Sequence, residues 1–171
     1  MDSLFFDARR YDVSKVGRYK FNKKMDIWSR LSGQVLAEPI ADPLTGEILA
    51  MPGEPLTRAQ AKELSAHGVN QAVLALEGGR TLKVFSNDMV DMSRFVSFDP
   101  KEYGINEKVR FSVLRELLDT VSEDGWAEAI ALRRDDLIPK HIIADDILAS
   151  INYLCCVAAG VGTTDAVSYT H

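Results

Sequence analysis

The sequence predicts an α+β fold: a mainly helical, discontinuous subdomain built from the two chain ends, residues 1–31 and 98–171, with a small ββαββ module inserted at 32–97. Three observations carry this reading. Beyond Asp99-Pro100 apolar residues recur at intervals of three and four, the period of helices with one buried stripe. Between Gly33 and Phe85 short apolar runs are separated by clusters of Pro, Gly, Asp and Thr, the texture of hairpins. The charge is also uneven: residues 1–30 hold eight Lys/Arg against four Asp/Glu, and the remainder twelve against twenty-one, within a net charge of −5.

A chain of 171 residues with 46% hydrophobic content is enough for one ordinary domain or two small ones with a real core, which excludes disorder throughout. A polyanion has a place to dock near the N-terminus and an electrostatic reason to avoid the rest. Cys155 and Cys156 are adjacent, with no CxxC or Cys/His spacing for zinc, and read as buried thiols of a reducing compartment. No window approaches the roughly 18 apolar residues of a membrane helix, so a soluble, cytoplasmic protein is expected.

In chain order, Leu4, Phe5 and Phe6 form an apolar cluster that anchors the N-terminus. The strip from Arg9 to Lys24 follows, with Arg9, Arg10, Lys15, Arg18, Lys20, Lys23 and Lys24 against one acid, Asp12, and with Tyr11, Val13, Val16, Tyr19 and Phe21 interleaved. Such a strip can rest on a scaffold through its aromatics and present cations outward; on composition alone most such runs are solvated surface. Gly17 is expected to supply a turn between two short pieces, and Met25, Ile27, Trp28 and Leu31 suggest a short helix.

From Val35 to Ile40 a strand is expected, returning over Glu47 to Met51 through the turn residues Asp42, Pro43, Thr45 and Gly46. Thr57 and Gln60 make a capping box for a helix that Gly68 ends, and Glu77-Gly78-Gly79-Arg80 turns a second hairpin between Ala72–Leu76 and Thr81–Phe85. Helices are then expected over Asn106–Val121, over Asp124–Arg134 with Trp126 and Ile130 inward and Pro139 beyond, and from Asp145 onward. In this last helix Ile147, Leu148, Ile151, Leu154, Cys155 and Ala158 are expected to line the buried face, with Gly160 and Gly162 stopping it.

No constellation of catalytic residues stands out. Asp145-Asp146 and Asp135-Asp136 read as helix acids rather than a carboxylate pair, and His67 and His141 have no third ligand spaced to join them. GVG near residue 160 lacks the context of a nucleotide loop, and the SxxK and GxSxG nucleophile patterns are absent.

The order of residues in the strip says more than its charge. LFFDARRYDVSKVGRYKFNKKM resembles the LFFxxxRYDLxxVGRxKxNxxL run of the bacterial DNA-directed RNA polymerase β subunit, in the part called the lobe, with Arg10, Tyr11, Asp12, Val16, Gly17, Arg18, Lys20 and Asn22 at the family spacing. LIPKHIIADDILASINYL followed by GVGTTD is similar to the helix and glycine-rich turn that close that lobe, and the DPLTGE turn with its capped helix resembles β-rich modules inserted in the family's large subunits. The family continues after GxGxxD with DIDHLGNRR, whereas this chain reads Asp165-Ala166-Val167-Ser168-Tyr169-Thr170-His171, so a truncated gene product or excised fragment is expected.

The resemblance implies a wall of the downstream DNA cleft in an RNA-synthesising nucleotidyltransferase. Arg10 is the first expected nucleic-acid contact, with Arg18 and Lys20 as further phosphate contacts. Asp12 would orient a neighbouring arginine, Tyr11 and Tyr19 would pack on the lobe or stack on a base, and Gly17 and Asn22 would be architectural. The implied partners are DNA, the second large subunit, alpha and a sigma factor. No cofactor is expected on this chain, since the family's catalytic magnesium is held by the other large subunit. A competing expectation makes residues 32–97 a protein-interaction module whose hairpin edges accept a strand from a regulator or another subunit.

Overall fold

The computed structural model describes residues 15–161, and the expectations for Leu4–Phe6, Arg10, Tyr11, Asp12, Gly162 and the final residues lie outside them. The described chain is α+β and falls into two compact units, one of residues 15–24 with 88–147 and one of residues 25–87 with 148–161. These boundaries differ from the 31/32 and 97/98 divisions read from the sequence, chiefly because most of the closing helix groups with the β-rich unit.

Helix α1 (Lys15–Met25) runs straight through Gly17, which therefore makes no turn, and its last turn carries Lys23 and Lys24 where the helix dipole favours cations. A single turn, α2 (Trp28–Leu31), follows. The stretch expected as one strand is split into β1 (Val35–Leu36) and β2 (Ile40–Ala41), because Pro39 cannot donate to a ladder. Only β2 returns on β3 (Ile48–Ala50), through a turn in which Asp42 Oδ1 accepts from the amides of Leu44 and Thr45.

Helix α3 (Arg58–Ala66) has the expected reciprocal box: Gln60 N donates to Thr57 Oγ1 at 3.1 Å and Thr57 N to Gln60 Oε1 at 2.9 Å. Strands β4 (Gln71–Ala75) and β5 (Thr81–Phe85) form the second hairpin, and β1 adds to β4 to give an antiparallel sheet in the order β1-β4-β5. Leu31, Leu36, Leu56, Leu64, Leu74, Val84 and Cys156 are among the residues that fill this unit's core.

In the other unit β6 (Met89–Val90) pairs with β7 (Val109–Arg110), so the helix expected from Asn106 begins later, as α4 (Phe111–Thr120). The delayed start has a visible cause: the Asp88 carbonyl accepts from Phe111 N and its carboxylate from Ser112 N, fixing the helix's first turn. Helix α5 (Trp126–Leu137) buries Trp126 and Ile130 as expected, and Phe98 meets the Trp126 ring at 5.4 Å between centroids. Val109, Leu114, Leu117 and Leu137 close this second core.

Helix α6 (Ala144–Ala158) ends the described chain, and its buried face is not the expected one. Ala149, Asn152, Tyr153 and Cys156 are buried while Leu148, Ile151, Leu154 and Cys155 are exposed. Asn152 explains the roll, since its amide donates to the Lys83 carbonyl at 2.7 Å and accepts from Phe85 N at 2.8 Å along the outer edge of β5.

Candidate nucleic-acid interface

Helical spacing sorts the strip into two faces. Arg18, Asn22 and Met25 point one way and are buried, while Tyr19, Lys20, Lys23 and Lys24 point the other way and are exposed.

Arg18 was expected to reach outward to phosphate; it is 2% exposed. Its Nη1 donates to Asp146 Oδ1 at 2.8 Å and its Nη2 to the His141 carbonyl at 2.7 Å. Asp146 also accepts from Ile143 N through its second oxygen, so one carboxylate both holds the guanidinium and caps the start of α6. A phosphate could reach Arg18 only by displacing that carboxylate, which corrects Arg18 from a contact to a structural anchor. Asn22 is buried on the same helical face.

Lys20 stands exposed, as expected from the sequence, next to Tyr19, which exposes 60% of its surface. Tyr19, Asn22 and Lys23 form one wall of a cleft of about 480 Å³ whose other wall includes Met92, Pro100, Lys101, Ile105 and Lys108. Asp91, Asp99 and Glu107 also line it, matching the three lysines in number; the Asp91 and Asp99 carboxylates are engaged locally, accepting from Ser93 N and Lys101 N at 3.0 and 3.1 Å. The lysines Lys23, Lys101 and Lys108 thus approach one hollow from three stretches of chain, a convergence that spacing alone does not show. Arg10, Tyr11 and Asp12 lie outside the described residues.

Asp145 pairs with Arg110 at 3.1 Å and Asp136 with Arg133 at 2.9 Å, both at partly open surface. His67 Nδ1 lies 3.1 Å from Asp42 and Nε2 3.3 Å from Glu63. Among the described residues no group of three His, Cys, Asp or Glu could hold a metal ion.

A second buried arginine escaped the sequence reading. Arg30 donates to the carbonyls of Met25 and Phe85, each at 2.6 Å, and to Asn152 Oδ1 at 3.1 Å, all within the β-rich unit. Burial lowers its pKa, with Cys156 and Asp26 acting in the opposite sense.

Fold and site together define a scaffold segment: two small cores, a buried arginine in each unit, and a cleft lined by three lysines and three acids with an exposed tyrosine at its edge. No protein-family model matches the chain. Curated relatives do. It is 46% identical over 172 residues to the DNA-directed RNA polymerase subunit beta of Acetivibrio thermocellus, 45% over 170 residues to that of Clostridium perfringens, and 42% over 170 residues to that of Clostridium beijerinckii. Each comparison covers 99% of this chain but 14% of the relative's length. The chain belongs to the DNA-directed RNA polymerase β-subunit family, as a fragment corresponding to about one seventh of that subunit.

Proposed function

We propose that this segment serves its subunit as a lobe wall of the downstream DNA cleft, holding duplex phosphates while taking no part in the chemistry. The observation that carries the reading is the outward face of α1, where Lys20 and Lys23 flank Tyr19 beside the cleft that Lys101 and Lys108 also line. Lysines at open surface supply sequence-independent attraction to phosphate, as a wall past which any template moves requires. Arg10 would extend the same contact. In this reading residues 32–97 are a lineage-specific insertion. The parent enzyme synthesises RNA on a DNA template in the bacterial cytoplasm, with the second large subunit holding magnesium and alpha and sigma as further partners.

Fluorescence anisotropy with a 20-base-pair duplex at several salt concentrations tests this. The unsubstituted chain should bind weakly, with affinity falling steeply as salt rises. Lys20→Ala/Lys23→Ala should lower the steepness of log K against log salt by about 2, near one unit for each phosphate no longer neutralised. A slope unchanged by the double substitution would remove α1 from the DNA-facing surface.

A further inference from the structure

Helix α6 carries an outer face that water should not see. Leu148, Ile151 and Leu154 expose 60, 55 and 67% of their surfaces, with Cys155 exposed and Ala158 beside them on the same side. From Ile147 to Thr164 the chain has no Asp, Glu, Lys or Arg. A helix bordering solvent ordinarily places charged residues on its outer side, and one that is apolar all round sits inside a larger body. Scattered apolar residues at a surface need no explanation; a continuous row on one helix does.

We infer that this stripe, Leu148, Ile151, Leu154 and Cys155, is an internal packing face of the full β subunit, covered by an apolar surface from polypeptide outside this chain. The inference rests on the reading of the chain as a β-subunit fragment, and three arguments select the occupant. The relatives are about seven times longer than the matched segment, so most of the polypeptide that could cover the face is absent here. The stripe is too small for a stable self-dimer, since association between separate chains takes roughly 800 Å² from each partner and these few side chains offer a fraction of that. A covalently continuous subunit has no such threshold, because the cost of bringing two free bodies together does not arise. A lipid surface fits poorly as well. No described helix is long and apolar enough to cross a membrane, and a helix lying on anionic lipid needs Lys or Arg along its border, whereas the nearest charges along this chain are Asp146 and Asp165.

Cys155 makes the inference measurable. Its neighbour Cys156 is buried, and burial pushes that thiol's pKa up, so a maleimide reads Cys155 alone. The experiment compares labelling of the Cys155 peptide, followed by mass spectrometry, in the isolated chain and in a chimaera. In the chimaera the 171 residues replace the matched segment of the Acetivibrio thermocellus subunit, assembled into polymerase. Cys155 should label at least tenfold more slowly in the assembled chimaera. Leu148→Ser/Leu154→Ser should leave the melting temperature of the isolated chain unchanged while restoring fast labelling in the chimaera.

Equal labelling rates in an assembled, transcribing chimaera would overturn the inference and leave the family reading standing. A chimaera that folds but neither assembles nor transcribes would overturn both. Slow labelling of the isolated chain with sedimentation as a dimer, or slowing on phosphatidylglycerol vesicles, would overturn the inference in favour of a second copy or a lipid surface.

Discussion

Arg18 and Asp146 stand 128 residues apart in sequence and 2.8 Å apart in space, with both side chains almost wholly withdrawn from solvent. Removing either partner takes the opposite charge away from a buried ion, so Arg18→Ala and Asp146→Ala should each cost about 3–5 kcal/mol in urea unfolding. Arg18→Lys should rescue little, because the guanidinium spans Asp146 and the His141 carbonyl with separate nitrogens. Arg18→Met/Asp146→Leu should cost far less than the two alanine substitutions combined. Costs under about 1 kcal/mol for the single substitutions would mean that the pair behaves as a solvated surface bridge.

Asn152 protects a sheet edge. In an antiparallel sheet the outer side of an edge strand presents the N–H of one residue and the carbonyl of the residue two before it, and here these are Phe85 and Lys83. The Asn152 amide satisfies both, taking the place of a neighbouring strand's peptide and closing an edge that would otherwise invite pairing. Asn152→Ala should cost about 2–4 kcal/mol and speed hydrogen exchange of the Phe85 amide. Asn152→Asp keeps the acceptor for Phe85 and Arg30 but loses the donor to Lys83, so exchange at Phe85 should stay slow. Fast exchange in both variants would show that the edge is held by something else.

What was legible in the sequence was what is local. The Thr57–Gln60 box, the Asp42 turn and the hairpin about Gly78-Gly79 depend on residues within a few positions of one another, and each formed as read. Family membership was legible too, because RYD, VGR, K and N at fixed spacing amount to a long word. Helical spacing shows that Arg18 and Asn22 share a face opposite Lys20 and Lys23, but not which face turns inward. That depends on Asp146, which no local pattern connects to Arg18. The same ambiguity misplaced α6, where an apolar row and a polar residue competed and Asn152 went inside because the edge of β5 needed its amide. Cys155 followed the row outward, contrary to its reading as a buried thiol.

Asp88 ties stability to pH in the unusual direction for a carboxylate. Burial raises its pKa, assisted by the charge on Asp145 and opposed by the hydrogen bonds from Ser112 and by Arg110. A carboxyl group with a raised folded pKa contributes stability that is fully present below its unfolded value, near 3.8, and lost as pH rises through the folded value. Asp88→Asn removes that loss. Asparagine also tolerates the residue's φ of 64° and can accept from Ser112 N. The variant should therefore melt at least as high as the unsubstituted chain at pH 7, with the difference shrinking as pH falls toward 4. A difference that grew on acidification would contradict the raised value.

Gly104 offers a test of backbone strain separable from side-chain crowding. It closes the single turn Pro100–Tyr103 with φ +78°, a left-handed conformation that costs a residue with a Cβ roughly 1–2 kcal/mol. A Cβ there would also lie 3.1 Å from Arg134 Nη1, while Arg134 Nη2 donates to the Gly104 carbonyl at 2.7 Å. Gly46 shares the conformation, with φ +77°, but a Cβ there meets nothing within 4 Å. Gly46→Ala should accordingly cost about 1 kcal/mol from backbone strain alone, and Gly104→Ala somewhat more. In an Arg134→Ala background the crowding disappears along with the hydrogen bond to the carbonyl, so the cost of Gly104→Ala should fall to that of Gly46→Ala. If Gly104→Ala costs the same with and without Arg134, the side chain swings aside freely and only the backbone strain remains.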